Sequence, residues 1–401
     1  MIDVTDRHCR YFHRLLAPRA RLYTEMITTG ALLHGDVARH LDFDAAEHPV
    51  ALQLGGSEPD ALAQAARLGR QWGYDEINLN CGCPSERVQR GAFGACLMAE
   101  PGLVADCMKA MQDAVDIPVT VKHRLGLDYD ESYGFVRDFV GQIYDTGCRV
   151  FVVHARNAVL KGLSPKDNRE IPPLRYDVAR QLKRDFPDCV IVLNGGLADA
   201  QAARAVAGEF DGVMLGRAAW HTPRVLSEVS LQWWPAIRLP SDAQVVDAMM
   251  QYAATQIARG VPLRVMTRPL LGLVNGQAGR GAGAACCRTR CGWRPMTRRC
   301  CTRHGAACRA RRASATLAPI RCRRSSAAVS GLGRRRLPLA SRGCRPSACC
   351  FRIAGRPRWP GPCRRTRSRP TGWGRPSRGY SARAFPASDA GLRRRSCWAT
   401  R

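Results

Sequence analysis

Between Leu22 and Trp233 one pattern recurs: a short apolar run, then a longer segment with apolar residues at helical spacing. The runs are residues 22–26, 49–54, 76–80, 118–122, 149–154, 190–194 and 212–215. Between them lie helical segments at 60–72, 101–115, 132–144, 176–186, 199–207 and 223–233; in the first, Leu62, Ala65, Ala66, Leu68 and Trp72 share a face. Strand and helix alternating in units of about 30 residues require parallel pairing. Unbroken over about 230 residues, the alternation predicts an α/β fold, a closed (β/α)8 TIM barrel in preference to an open sheet.

Seven strands can be drawn where a barrel needs eight. The first strand is expected to be largely missing, with Met1-Ile2-Asp3 as its last residues. A helix over 6–16, capped by Thr5 or Asp6, follows it. Residues 241–277 predict a small helical unit, with Val245, Val246, Met249, Tyr252, Ala253 and Ile257 as its apolar face. From about Arg280 the chain is Arg, Ala, Gly, Pro, Ser and Cys with no periodicity. The expected organisation is a barrel over 1–238, the start of a helical domain over 239–279, and a disordered basic tail over 280–401. The tail's vocabulary is also that of a GC-rich gene read in a shifted frame.

The formal net charge of +29 indicates a nucleic-acid partner only until it is located. Residues 281–401 carry 31 Arg and one acid, Asp389; of 62 basic and 33 acidic residues overall, 31 and 32 remain in 1–280. The folded part is therefore near neutral. Twelve of the 19 cysteines also lie beyond residue 280. The seven in the body are an odd set on separate elements, which argues against a disulfide framework and for a reducing compartment. The polar start lacks an apolar signal core, and no run of about 18 apolar residues exists, so a cytoplasmic protein with no membrane span is expected.

Chemistry is expected where parallel strands end. The third run closes in Asn78-Leu79-Asn80-Cys81-Gly82-Cys83-Pro84. Cys83, between Gly82 and Pro84, is read as a positioned thiol, a proton donor or nucleophile; Cys81 points to the other face and is read as packing. Gln53 ends the second run with an amide suited to a heterocycle edge. Lys122 ends the fourth as a fixed positive charge suited to an anionic reduced cofactor, and His154 ends the fifth. The last two runs end in Asn194-Gly195-Gly196 and Gly216-Arg217, glycine turns with a cation, fitting a phosphate. Together these residues point to flavin mononucleotide (FMN). Gly279-Arg280-Gly281-Ala282-Gly283 follows no strand and is no dinucleotide fingerprint. Cys287, Cys291, Cys300, His304 and Cys308 fit no zinc-finger spacing, so no metal is expected.

These motifs resemble the tRNA-dihydrouridine synthases, most closely their A type. The resemblance runs through Thr5-Asp6-Arg7-His8-Cys9-Arg10, Tyr23-Thr24-Glu25-Met26, Ala51-Leu52-Gln53-Leu54-Gly55-Gly56, the Asn78–Pro84 stretch, Val121-Lys122-His123-Arg124, a block from His154 through Lys166 to Tyr176, and the two glycine turns. It implies an FMN enzyme that reduces uridine to 5,6-dihydrouridine in the tRNA D-loop, at positions 20 and 20a, with NADPH as electron source. It implies that the uracil's C6 takes hydride from the reduced flavin and that Cys83 protonates C5 from the opposite face of the base. It further implies that Gln53, Lys122, His154, Asn194, Gly195, Gly196, Gly216 and Arg217 hold FMN, and that Asn80, Arg156, Lys166 and Arg169 contact tRNA. The helical domain would help grip tRNA, and a monomer is expected. The family carries Ala-Pro-Met on a strand just before this chain's start, and a basic, Trp-bearing helix after residue 277; both are departures here. On the residues alone two other readings stay open: another FMN barrel oxidoreductase acting on a small pyrimidine or enone, and a degenerate RNA-binding product without activity.

Overall fold

The computed structural model describes Met1 and residues 3–275. The expected basic tail, the Gly279–Gly283 run and the Cys/His group near residue 300 lie outside the described residues.

The seven drawn strands form: β1 (Leu22–Thr28), β2 (Val50–Gly55), β3 (Glu76–Cys81), β4 (Val119–His123), β5 (Val150–His154), β6 (Val190–Asn194) and β7 (Gly212–Met214). All neighbours pair in parallel and in chain order, β1 to β7. The crossovers are helices, among them α2 (Pro59–Gln71), α3 (Pro101–Ala114), α4 (Tyr133–Asp145), α5 (Tyr176–Asp185) and α6 (Ala200–Val206), and α7 (Arg224–Trp233) follows β7. Before β1 comes α1 (Arg7–Leu16), capped by the Asp6 side chain accepting from Cys9 N–H. The sheet is that of a TIM barrel with seven strands among the described residues. Met1-Ile2-Asp3 were expected to end a further strand; of these Ile2 lies outside the described residues, and residues 3 and 4 form a turn. Val4 and Thr5 both donate to the Met1 carbonyl at 3.0 Å, which closes the chain on itself before it can pair. Met1 nevertheless lies between the two sheet ends: a Cβ on Gly216, after β7, would stand 3.8 Å from its Sδ, while Val4 N–H donates to Glu25 of β1 at 3.2 Å.

Period two sorts each strand. Leu52, Leu54, Ile77, Leu79, Val121, Phe151, Val153, Ile191 and Leu193 are fully buried against Ala65, Ala66, Met108, Met111, Phe139, Ile143 and Leu182 of the helices. Each such Leu, Ile or Phe contributes about 1.5–3 kcal/mol. Cys81 has this outer parity and is fully buried in the same cluster. The opposite parity is polar toward the strand ends: Gln53, Asn80, Lys122, His154 and Asn194 all belong to the inner set.

A second apolar cluster lies outside the sheet. Helix α8 (Asp242–Ala258) begins at a capping box between Ser241 and Gln244. Its Val245, Met249 and Tyr252 pack with Met266 and Leu273 against Phe12 and Leu16 of α1. Ile257, expected on this face, is 44% exposed. The buried stripe is narrow and continues through Gln256, which leaves Ile257 about 100° off it. Among the described residues no helix is long and apolar enough to cross a membrane.

Candidate active site at the strand ends

The loop after β3 is held by one side chain. Asn80 Oδ1 accepts from the backbone N–H of both Gly82 and Cys83, each at 3.0 Å, while Asn80 Nδ2 donates to Gln53 Oε1 at 2.8 Å. Gly94, at φ +81°, lets the following segment fold over the loop, so that Ala95 N–H reaches the Cys83 carbonyl at 2.9 Å; a Cβ there would lie 2.6 Å from that oxygen. Cys83 itself is half-buried and is one of seven free thiols among the described residues. Gln53 is level with Asn78 in the β2–β3 register and donates to its Oδ1 at 2.9 Å.

Lys122 reaches across β5: its Nζ donates to Asn194 Oδ1 at 3.1 Å, and Asn194 Nδ2 donates to the Met214 carbonyl at 2.8 Å. Burial first, and Arg124 second, lower the Lys122 amine from 10.5 to about 7, with the nearby Cys83 opposing. The lysine's charge is therefore conditional on what stands beside it, because the inner wall strips its water. His154 is driven well below its usual value by burial, then by Arg124, Lys122, Arg156 and Arg217, and is neutral at neutral pH. Gly195 (φ +105°) packs against it: a Cβ would come within 2.7 Å of His154 Cδ2, and one on Gly196 (φ +72°) within 2.4 Å of Leu174. Tyr176 O–H secures this turn by donating to the Gly195 carbonyl at 2.6 Å.

The predicted basic residues fall on the loop after β5 and on the turn after β7. Arg217 donates to Glu170 Oε1 at 2.5 Å and to the Arg169 carbonyl at 3.2 Å; Arg156 donates to the Glu170 and Pro172 carbonyls. Lys166 stands exposed, outside these contacts. Gly216 caps the five-residue helix Arg217–His221. Gln53, Asn80, Cys83, Lys122, His154 and Asn194 thus share one mouth, and Arg156, Arg169 and Arg217 line its side.

Two sets of residues went unread in the sequence. Arg124 is buried and donates to the carbonyls of Gly82 (3.1 Å), Asn157 (3.1 Å) and Asn168 (3.0 Å), tying the Cys83 loop to the basic loop. Asn168, also fully buried, pairs with both backbone groups of Val159, at 2.7 and 2.8 Å. A charged residue inside a strand-end motif was the available signal for Arg124. The second set is Glu76, Asn78 and Thr120, buried and polar beneath the mouth. Among the described residues no group of three or more His, Cys, Asp or Glu could hold a metal.

An amide edge, an amine, a neutral imidazole and a glycine turn that side chains could not occupy suit a planar heterocycle with carbonyl oxygens, and the outlying arginine suits its phosphate. Fold and mouth are together those of an α/β-barrel oxidoreductase. Residues 1–284 match the family described as Dihydrouridine synthase (Dus). Curated relatives include proteins from Pseudomonas putida (58% identical over 285 residues), Xanthomonas campestris (57% over 281) and Synechocystis (52% over 278). Each is named tRNA-dihydrouridine(20/20a) synthase; the alignments cover 69–70% of this chain and 83% of those proteins. A solved structure of morphinone reductase overlays at a TM-score of 0.40 and 15% identity, over 61% of this chain and 86% of that one. The chain belongs to the dihydrouridine synthase family, whose members are flavin-dependent oxidoreductases.

Proposed function

We propose that this chain reduces uridine to 5,6-dihydrouridine in the D-loop of tRNA, at positions 20 and 20a, with FMN as resident cofactor and NADPH as electron source. The observation that carries the reading is the Asn80-held Cys83 loop beside the Lys122–Asn194 pair, in a chain 58% identical to a protein named for that reaction. Gln53, Lys122, His154, Asn194, Gly195, Gly196, Gly216 and Arg217 are the residues that would hold the flavin. When bound there, the reduced flavin would supply the hydride that C6 of the uracil takes up. Cys83 Sγ gives its proton to C5, and Asn80 keeps the thiol's loop in place while it does so. Lys122, whose proton is loosely held, regains full charge beside an anion and so favours one in the mouth. Neutral His154 offers one N–H and one lone pair. C5 and C6 are out of reach in a stacked base, so the nucleotide must be flipped into the mouth. Arg156, Lys166 and Arg169 would meet the phosphates around it, with the 239–279 segment assisting, in a monomeric cytoplasmic protein.

The test is complementation. The full chain is expressed in a host stripped of its own dihydrouridine synthases, and nucleosides from tRNA are quantified by mass spectrometry. Dihydrouridine at 20 and 20a, absent with Cys83→Ala, is the expected result. Flavin-loaded protein that reduces free uracil but leaves tRNA untouched would replace the reading with that of a small-molecule reductase.

A further inference from the structure

The inner residues of β3 form a line of polar groups below the mouth: Glu76, Asn78 and Asn80. The register sets Asn78 level with Gln53 on one side and Thr120 on the other. Hydrogen bonds join them end to end. Glu76, fully buried where β3 begins, accepts from Arg21 (2.7 Å), Tyr23 O–H (3.1 Å) and Thr120 O–H (2.7 Å). Thr120 Oγ1 accepts from Asn78 Nδ2 (2.8 Å), and Asn78 Oδ1 from Gln53 Nε2 (2.9 Å). Gln53 Oε1 accepts from Asn80 Nδ2 (2.8 Å), and Asn80 Oδ1 from the Gly82 and Cys83 N–H groups (3.0 Å each). Every bond donates the same way, toward Glu76.

Chemistry dictates that direction. A carboxylate only accepts, so Thr120 commits its single proton to Glu76 and must itself accept from Asn78. Which end of Asn78 faces Thr120 decides which end faces Gln53, and so on up to Asn80. We propose that Glu76 is a positioning residue: from the far end of β3 it sets the amide orientations of Asn78, Gln53 and Asn80, and through Asn80 it holds the Cys83 loop. The significance of Gln53 and Cys83 rests on the function proposed above; the chain of bonds does not.

Glu76→Gln reverses the polarity. The new carbonyl stays with Arg21, so the new amide N–H faces Thr120, whose proton must leave for Asn78 or for the Ile77 carbonyl at 3.4 Å. Where it turns to Asn78, each amide above flips, and Asn80 ends by presenting N–H to the N–H groups of Gly82 and Cys83. Two hydrogen bonds to the loop are lost, equivalent to roughly tenfold in the loop's opening equilibrium.

The experiment follows alkylation of Cys83 by iodoacetamide, read on its own peptide by mass spectrometry, and FMN affinity by fluorescence quenching, in the full chain. Glu76→Gln should raise Cys83 alkylation and weaken FMN binding, each by roughly tenfold. Thr120→Val cuts the chain of bonds and should raise Cys83 alkylation several-fold; adding Glu76→Gln to it should change Cys83 no further. Tyr23→Phe touches Glu76 without altering direction and should leave Cys83 as in the wild type. Wild-type alkylation and FMN affinity in Glu76→Gln, whatever its melting temperature, would overturn the proposal, and so would additivity with Thr120→Val. Should Glu76→Gln fail to fold, unchanged Cys83 alkylation in Thr120→Val overturns it alone. Failure of the functional reading shows separately, as a wild-type chain that leaves tRNA unmodified.

Discussion

Lys122→Met should stabilise the flavin-free protein near neutral pH and destabilise it in alkali. Burial lowers the folded amine from 10.5 to about 7. Between those values the unfolded chain binds a proton that the folded chain does not, so wild-type stability rises with pH across the window; below 7 the full cost is present. Taken at face value the shift corresponds to about 5 kcal/mol. Lys122 is only half-buried at the mouth, and solvent screening cuts this to about 2 kcal/mol. Methionine fills the same space without that cost but forfeits the bond to Asn194, worth about 1 kcal/mol. The variant should therefore lead by about 1 kcal/mol near pH 6.5, lose that lead by about pH 10, and trail by about 1 kcal/mol only above about pH 11, where the unfolded lysine is neutral as well. At about 2–4 °C per kcal/mol the gap in Tm swings by roughly 4–8 °C. Differential scanning fluorimetry on flavin-stripped protein measures it. A Tm gap that is constant with pH, or a wild type already ahead at the acid end, would refute the argument that burial has made the lysine's charge conditional.

Three further outcomes are expected. Cys83→Ala should leave flavin reduction by NADPH at its wild-type rate while slowing dihydrouridine formation about 10²–10⁴-fold, separable by stopped-flow of the two half-reactions. Gly195→Ala places a Cβ 2.7 Å from His154 at a φ of +105°; it should cost about 2–4 kcal/mol and lower the flavin content of purified protein, seen by urea titration and visible absorbance. Arg10 and Glu47 pair at 2.6 Å with side chains 5% and 0% exposed, between α1 and the turn before β2. Glu47→Ala leaves the guanidinium buried alone and should cost about 3–5 kcal/mol in urea unfolding.

Much of this was legible because it is local. Each of the seven apolar runs became a strand with ends within two residues of those drawn, since β-branched runs bounded by turn residues leave few alternatives. The helices Thr29–His34, Val37–Leu41, Glu86–Arg90 and Arg217–His221 were missed: at five or six residues they are too short to show a helical period. Among site residues, Gln53, Asn80, Lys122, His154 and Asn194 were readable as polar groups closing apolar runs. Arg124 and Thr120 were not, because their roles come from partners 30 or more positions away or from cross-strand register, and Asn168 was not, because its side chain closes an irregular loop on Val159 that has no period to read. Glu76 gave a signal, an acid inside an apolar run, but its purpose depends on Thr120, on a different strand. Lys122 was legible as a strand-end amine but the lowering of its pKa was not, since desolvation belongs to the walls around a residue and not to the residue.

The packing of α8 on α1 sets a timetable for synthesis. Phe12 and Leu16 are buried by Val245, Met249, Met266 and Leu273, His8 bonds to Tyr252 at 2.8 Å, and Ser227 caps the Leu16 carbonyl. Helix α1 thus waits on the ribosome for a segment some 230 residues further along the chain. At translation speeds of about 5–20 residues per second that interval is about 10–50 seconds. Closing so long a loop carries an entropic cost of about 5 kcal/mol before its first contact forms. Throughout it α1 must hold an uncovered apolar stripe beside a sheet that is already assembling. A nascent chain stalled after β7 would be a nearly finished barrel with that stripe exposed, the kind of surface a chaperone binds.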